Sequence, residues 1–270
     1  MEEFLKQMLR DILGNTYVIG ADALKESVAG YNETAYAFAN QINEVAVKPI
    51  AAVIVAIVLV LELARISSRF EGDSKTGVQV AATAIIKAVL IVVAIQNTDL
   101  ILKAINEVGD KIVKVVGPMI QSSNAATVEP SVPNLSTVEQ VGAMIILFLP
   151  WIIAVAASLL VKLLVMLRFA EIYILSAAAT LPISFLGHEE TKNMAIGYLK
   201  RYGTAVLHGV MILVVIGVYG HLQIDGVTLD PNDGIVDIMK QIPSLLFGPL
   251  LFIFLLFSSG KFSRALVGEG

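Results

Sequence analysis

The chain has 270 residues, of which 56% are hydrophobic, and a mean hydropathy of +0.78. A soluble domain is closer to 45–50% apolar, and several uncharged runs here reach the ~18–20 residues needed to cross a bilayer. The net charge of −4 argues against nucleic-acid binding through bulk charge. The absence of cysteine excludes disulfides, thiolate metal sites and thiol nucleophiles. The runs are continuous rather than alternating, which disfavours a barrel. The expected fold is all-α: about five spans, a re-entrant or broken helix, and amphipathic interfacial helices.

The start, Met1-Glu2-Glu3, is acidic and no apolar core of a signal peptide follows it. Phe4, Leu5, Met8, Leu9, Ile12 and Leu13 recur on one helical stripe, with Glu2, Glu3, Lys6, Arg10 and Asp11 elsewhere. Such a helix lies in an interface or packs on a partner. A second amphipathic stretch, 21–47, is rich in Ala, Asn and Glu. Residues 1–48 are therefore expected as an N-terminal amphipathic extracytoplasmic arm, serving as a packed arm or an oligomer contact.

Residues 49–95 are expected to hold the first two transmembrane helices. Pro49 suits the first turn of one of them. Glu62 lies near its far end, and Lys87 near the middle of the next. Lys87 can snorkel or pair with Glu62, and a conduction or gating role is the alternative. Ala81, Ala84 and Ala88 give the second span a small-residue face for close packing.

Residues 96–137 are read as an extracytoplasmic amphipathic helix and loop. Ile101, Ile105, Val108, Ile112 and Val115 mark its apolar face, with Lys103, Asp110, Lys111 and Lys114 interleaved. Gly117-Pro118 is expected to end the helix, and 121–133 to be a loop. Ser136 followed by Glu139 forms a capping box that starts the third span, 138–161.

Residues 138–258 form the expected core bundle, with a re-entrant segment at 169–187. Within it, Arg168 and Glu171 stand three apart on one helical face, where they can pair. At mid-bilayer an unpaired charge costs roughly 2.5–3.5 kcal/mol, so such residues are paired or used. An interface-level pair that fixes helix depth is the simpler reading. Pro182 breaks the helix after Glu171, leaving too few residues to cross. Non-helical backbone at that depth must be buried in protein. Gly209, Gly217 and Gly220 suit the next span to close packing. His208 and His221 are too far apart on it to share a metal. Residues 223–240 are acidic, without calcium-loop spacing. Pro243, Gly248 and Pro249 imply a kink in the last span. A short basic cytoplasmic tail, 259–270, carries Lys261.

With five spans and the N-terminus outside, the inner segments 65–77, 162–203 and 259–270 are denser in Lys and Arg than the outer ones. A six-span arrangement with the N-terminus inside scores well by raw count, so charge leaves both open. No phosphate-loop, HExxH or GxSxG motif occurs, and an enzyme reading finds no site. Catalytic, cofactor and metal residues are all expected to be absent.

Arg168-Phe169-Ala170-Glu171-Ile172-Tyr173, then Ala179-Thr180-Leu181-Pro182-Ile183, resemble the signature region of TrbL-like polytopic membrane subunits. These belong to Gram-positive conjugal transfer, or type IV secretion, systems. Tyr198-Leu199 and the tail Ser258-Ser259-Gly260-Lys261-Phe262-Ser263-Arg264 resemble the family too. The likeness is carried by residues 140–270, with 45–137 fitting by layout. It implies a multi-pass protein of the bacterial cytoplasmic membrane: a homo-oligomeric, non-enzymatic channel or scaffold subunit. Implied partners are other copies of itself, other secretion subunits including an ATPase, membrane lipids, and a DNA–protein complex in transit. Structural or functional candidates are Glu62, Lys87, Arg168, Glu171, Tyr173, Pro182 and Lys261. The competing reading is an autonomous secondary transporter that uses the intramembrane charges around a proline-broken segment.

Overall fold

The computed structural model describes residues 2–13, 22–69, 74–124, 136–187, 190–222 and 234–269. Most of the acidic stretch 223–240 and of the loop 121–133 lies outside them. The described residues are almost all helical, without a strand, and five of the helical stretches are long and apolar enough to cross a membrane. The helices are α1 (Glu2–Ile12), α2 (Val28–Tyr31), α3 (Glu33–Ile42), α4 (Lys48–Arg69), α5 (Ser74–Gln96), α6 (Thr98–Asn124), α7 (Thr137–Ala177), α8 (Thr180–Ser184), α9 (Lys192–His221) and α10 (Ile235–Val267). They form two compact units. The first comprises 1–26, 109–168 and 207–263; the second comprises 27–108, 169–206 and 264–270.

In the first unit the apolar stripe of α1 is a core element. Leu5, Met8, Leu9 and Ile12 are buried with Ala143 and Leu147 of α7 and Ile238 and Leu245 of α10. The sequence assigned this stripe to an interface or a partner; the chain's own α7 and α10 cover it instead. Asp11 adds a polar anchor by accepting a hydrogen bond from the Trp151 indole N–H at 2.8 Å. Burying an indole satisfies its apolar body only if the N–H finds an acceptor. Around α9 the packing is close. Ile120 of α6 occupies the space a Cβ would take at Gly217. Tyr219 packs on Phe252 of α10, with ring centroids 4.7 Å apart. His208 Nε2 lies 3.0 Å from Ser259 Oγ.

In the second unit α4 and α5 form a hairpin. Ala51 and Val55 meet Ile91 and Ile95, and Ile183 of α8 joins them. Between α3 and α4 the chain makes a π-helical turn, Asn43–Val47, in which the Lys48 N–H reaches back to the Asn43 carbonyl. Pro49 was expected to open the span. It sits instead inside a continuous helical run, just after this turn. A proline has no N–H to give the preceding turn and its ring crowds the carbonyl four residues back; the wider π turn directly before it absorbs that mismatch.

Two helices run past their expected ends. The α6 helix continues through Gly117-Pro118 to Asn124. Its buried stripe is Leu102, Asn106, Gly109, Val113, Gly117 and Ile120, one position round from the Ile101–Val115 stripe marked by bulk. On this face Ile120 enters the space that Gly217 of α9 leaves open, the close approach a glycine permits. The α7 helix is 41 residues long and holds Pro150 without a break. It stops at Ala177, and Ala178 and Ala179 form a turn before α8. Pro182 explains the position, because its ring conflicts with the carbonyl of Ala178 four residues before it.

Candidate functional site

The segment from Phe169 to Thr180 is tied to other parts of the second unit by several side-chain contacts. Phe169 stacks on Tyr31, with centroids 3.9 Å apart and planes 8° from parallel. The Tyr173 hydroxyl donates to the Val28 carbonyl at 2.9 Å, and its ring leans on Tyr36. Val28 and Tyr31 lie on the short α2, capped by Ser27. The N-terminal arm is thus pinned to the very stretch that stood out in the sequence.

The helix break that follows is capped from the same arm. Asn43 Oδ1 accepts the Thr180 hydroxyl at 2.7 Å and faces its N–H at 3.4 Å. Both residues are fully buried. In lipid no water can satisfy a freed backbone N–H, so a side-chain acceptor must. Further along, the Tyr202 hydroxyl donates to Asn106 Oδ1 at 3.1 Å and lies 3.4 Å from Ser176 Oγ. The Tyr198 hydroxyl donates to the Leu175 carbonyl at 2.9 Å. These bonds join α6, α7 and α9 through groups that are costly to leave unmade in a buried setting.

Charges divide differently from the sequence expectation. Glu171 is half-buried and pairs with Arg201 of α9, not with Arg168. Arg168 is only 2% exposed and belongs to the first unit. Its guanidinium fills the space over Gly209, where any Cβ would collide with it. Gly209 was expected to serve helix packing in general; its specific task is to house a cation. Glu62 and Lys87 do come together: both line a cavity of about 20 Å³ in the second unit, with Val58, Ala84, Ser184 and Gly187 around them. That is room for roughly one water molecule. Pro182 is half-buried in α8, and Lys261 is exposed on α10. Asn43, Asn106, Tyr202 and Tyr31 were missed. Their only sequence signal was polarity inside otherwise apolar or small-residue helices.

Among the described residues no cluster of His, Asp and Glu has the geometry to hold a metal ion. The family model described as TrbL/VirB6 plasmid conjugal transfer like protein matches residues 18–180. The chain belongs to that family. It is a multi-pass α-helical membrane protein of the conjugal transfer, or type IV secretion, class. Comparisons with curated proteins and with solved structures return no match.

The matched stretch corrects where the TrbL/VirB6 likeness was expected. It takes in the arm from residue 18 on, without α1, then the α4–α5 hairpin, α6 and α7, and it stops at Thr180. Arg168–Tyr173 falls inside it. Leu181–Ile183, Tyr198-Leu199 and the tail 258–264 fall outside. Residues 18–44 of the arm, outside the stretch expected to carry the likeness, are therefore part of the family's shared body, as the pinning of Val28 and Tyr31 to Tyr173 and Phe169 leads one to expect.

Proposed function

We propose that this chain is a non-enzymatic channel or scaffold subunit of a conjugative type IV secretion machine in the bacterial cytoplasmic membrane. It works as a homo-oligomer and contacts an ATPase and other secretion subunits. It helps to pass a DNA–protein complex across the membrane. Family membership carries this reading. The polar ties that lock the arm, α6, α7 and α9 together support it, because they suit a rigid wall better than a rocking transporter. Deleting the chain while the other subunits are still made must abolish DNA transfer; normal transfer would sink the proposal. Cross-linking in membranes must capture a ladder of self-adducts.

One observation favours the transporter reading. Glu62, Lys87 and Ser184 meet at a small cavity beside the broken segment, a layout in which half-helices and intramembrane charges bind substrates. Purified protein in liposomes that drives substrate or proton flux would establish it. A tight membrane under an imposed gradient would remove it.

A further inference from the structure

Two cavities along the α4–α5 hairpin differ in size. The one at Glu62 and Lys87 has room for roughly one water. The other lies where α4 begins and α5 ends, and its volume is about 340 Å³. Small-molecule sites run to roughly 300–1,000 Å³ and are mostly apolar with a few placed polar groups. This cavity has that make-up. Ala52 and Val55 of α4 and Val92 and Ile95 of α5 form apolar walls, and Glu44, Lys48 and Gln96 supply polar side chains.

The two kinds of group are sorted by depth. Both helices belong to stretches long and apolar enough to cross a membrane. The uncharged run 49–61 starts just past Lys48, and the uncharged run 88–95 ends just before Gln96. Beyond Gln96 come Asn97, Thr98 and Asp99. The polar rim therefore stands at the edge of the apolar layer. Val55 lies seven residues past Lys48, about 10 Å further along the axis at 1.5 Å per residue. A molecule that fills the cavity meets charge and amide at its mouth and hydrocarbon below, as a membrane lipid does.

The charges narrow the class. Lys48 Nζ and Glu44 Oε1 are 2.7 Å apart, so the rim offers one cation and one anion. A head group with a phosphate alone sets its charge against the Glu44 carboxylate. One that joins a phosphate to a primary ammonium can meet Lys48 with the first and Glu44 with the second. The Gln96 amide can donate to the ester groups between head and chain.

We propose that this cavity is a lipid site. It takes an acyl chain of a phospholipid whose head group carries both a phosphate and a primary ammonium, with Lys48 on the phosphate and Glu44 on the ammonium. The site belongs to the hairpin itself and stands whether or not the chain works as a channel subunit.

Native mass spectrometry of the full-length chain provides the test. The chain is released from micelles holding equal amounts of phosphatidylethanolamine, phosphatidylcholine and phosphatidylglycerol. Expected is one phosphatidylethanolamine per chain, favoured over the other two by about tenfold. Phosphatidylcholine has no N–H for Glu44, and phosphatidylglycerol has no cation. Ala52→Trp fills the cavity and should remove the adduct, with the elution volume and circular dichroism of the parent chain. Glu44→Gln should erase the preference over phosphatidylglycerol. Equal retention of the three lipids, no adduct, or an adduct that survives Ala52→Trp overturns the inference. If Ala52→Trp fails to fold, Glu44→Gln decides: an unchanged preference overturns it. The chain has no cysteine of its own, so Ala52→Cys reports a competing occupant. Disulfides between copies in the membrane place a second copy at the mouth of the cavity and also overturn the inference.

Discussion

The α4–α5 hairpin and the helix α9 solve the same problem in opposite ways. In the apolar window of α9, 56% of the residues are buried within the chain; in the windows leading into α4 and along α5 only 11% and 22% are. The α9 helix reaches this with glycines at 209 and 217, each filled by a specific neighbour, Arg168 and Ile120. The hairpin closes one seam through Ala51, Val55, Ile91 and Ile95 and leaves Val53, Ile57, Ile86 and Leu90 exposed. A helix surrounded by its own chain depends on shape. A helix with one seam depends on its surroundings, because lipid tails are as apolar as its own side chains.

Substitutions can break this contrast. The largest effect is expected from Gly209→Leu. It ejects the Arg168 guanidinium from a buried berth, and displacing a buried charge costs about 3–5 kcal/mol. The folded fraction after detergent extraction, read by size exclusion, should collapse. Next come Asn43→Leu and Thr180→Val. Each leaves a buried partner unsatisfied, at about 1–3 kcal/mol, and the double variant should lose less than the sum in a thermal-melt cycle. Additive losses would show that the bond across the helix break is idle. The Arg168→Ala and Glu171→Ala pair should behave in the reverse way. Glu171 pairs with Arg201, whose side chain is 49% exposed, so Glu171→Ala costs at most about 1 kcal/mol, and the two changes add. Strong coupling would restore the pairing that spacing alone suggested.

The hairpin should be nearly indifferent. Ile57→Ala and Ile86→Ala are expected to leave the melting temperature of the detergent-solubilised chain unchanged, while α9 variants lower it. The smallest effect lies on α1. Lys6 hydrogen-bonds Glu2 and attracts its charge, holding the carboxyl below its ordinary value of 4.5, while the same pair raises the Lys6 ammonium. The contribution of Glu2 is therefore present above pH 4.5 and fades as pH falls through the lowered value. That of Lys6 fades as pH rises above its ordinary range. The Glu2 side chain is exposed, so Glu2→Gln should leave the neutral-pH melt unchanged and flatten only a slight acid-side slope.

The spans and the all-helical class could be read from the sequence because hydropathy over a long window is set by solvent, not by neighbours. Faces were harder. On α6 the bulky Ile101, Ile105 and Ile112 drew attention, yet the contact is made by Ile120, which fills the space over Gly217 of α9. Periodicity counts apolar bulk and is blind to the space a missing side chain opens. The destination of α1 was likewise hidden. Its stripe announced that something would cover Leu5 and Met8, but Ala143, Leu147 and Ile238 lie more than a hundred residues away. At the candidate site, the sequence offered Glu62 as a partner for Lys87, and the structure places both on the lining of one small cavity. Glu171 with Arg201 was not anticipated, because an adjacent Arg168 offered an obvious local partner. Asn43 gave no cue, since an asparagine in an arm of small residues is ordinary until a helix break needs an acceptor.

The π turn at Asn43–Val47 acts as a phase adjuster. One residue advances a helix by about 100°, and this turn slips the winding just before the hairpin begins. Asn43 upstream must aim at Thr180, while Ala51 and Val55 downstream must aim at Ile183 and Ile91. Removing a single residue here would let the run rewind to an unbroken α-helix with every backbone bond intact. It would nonetheless rotate the two halves out of step, so that either the break loses its acceptor or the hairpin loses its seam. The segment tolerates changes of side chain far better than changes of length.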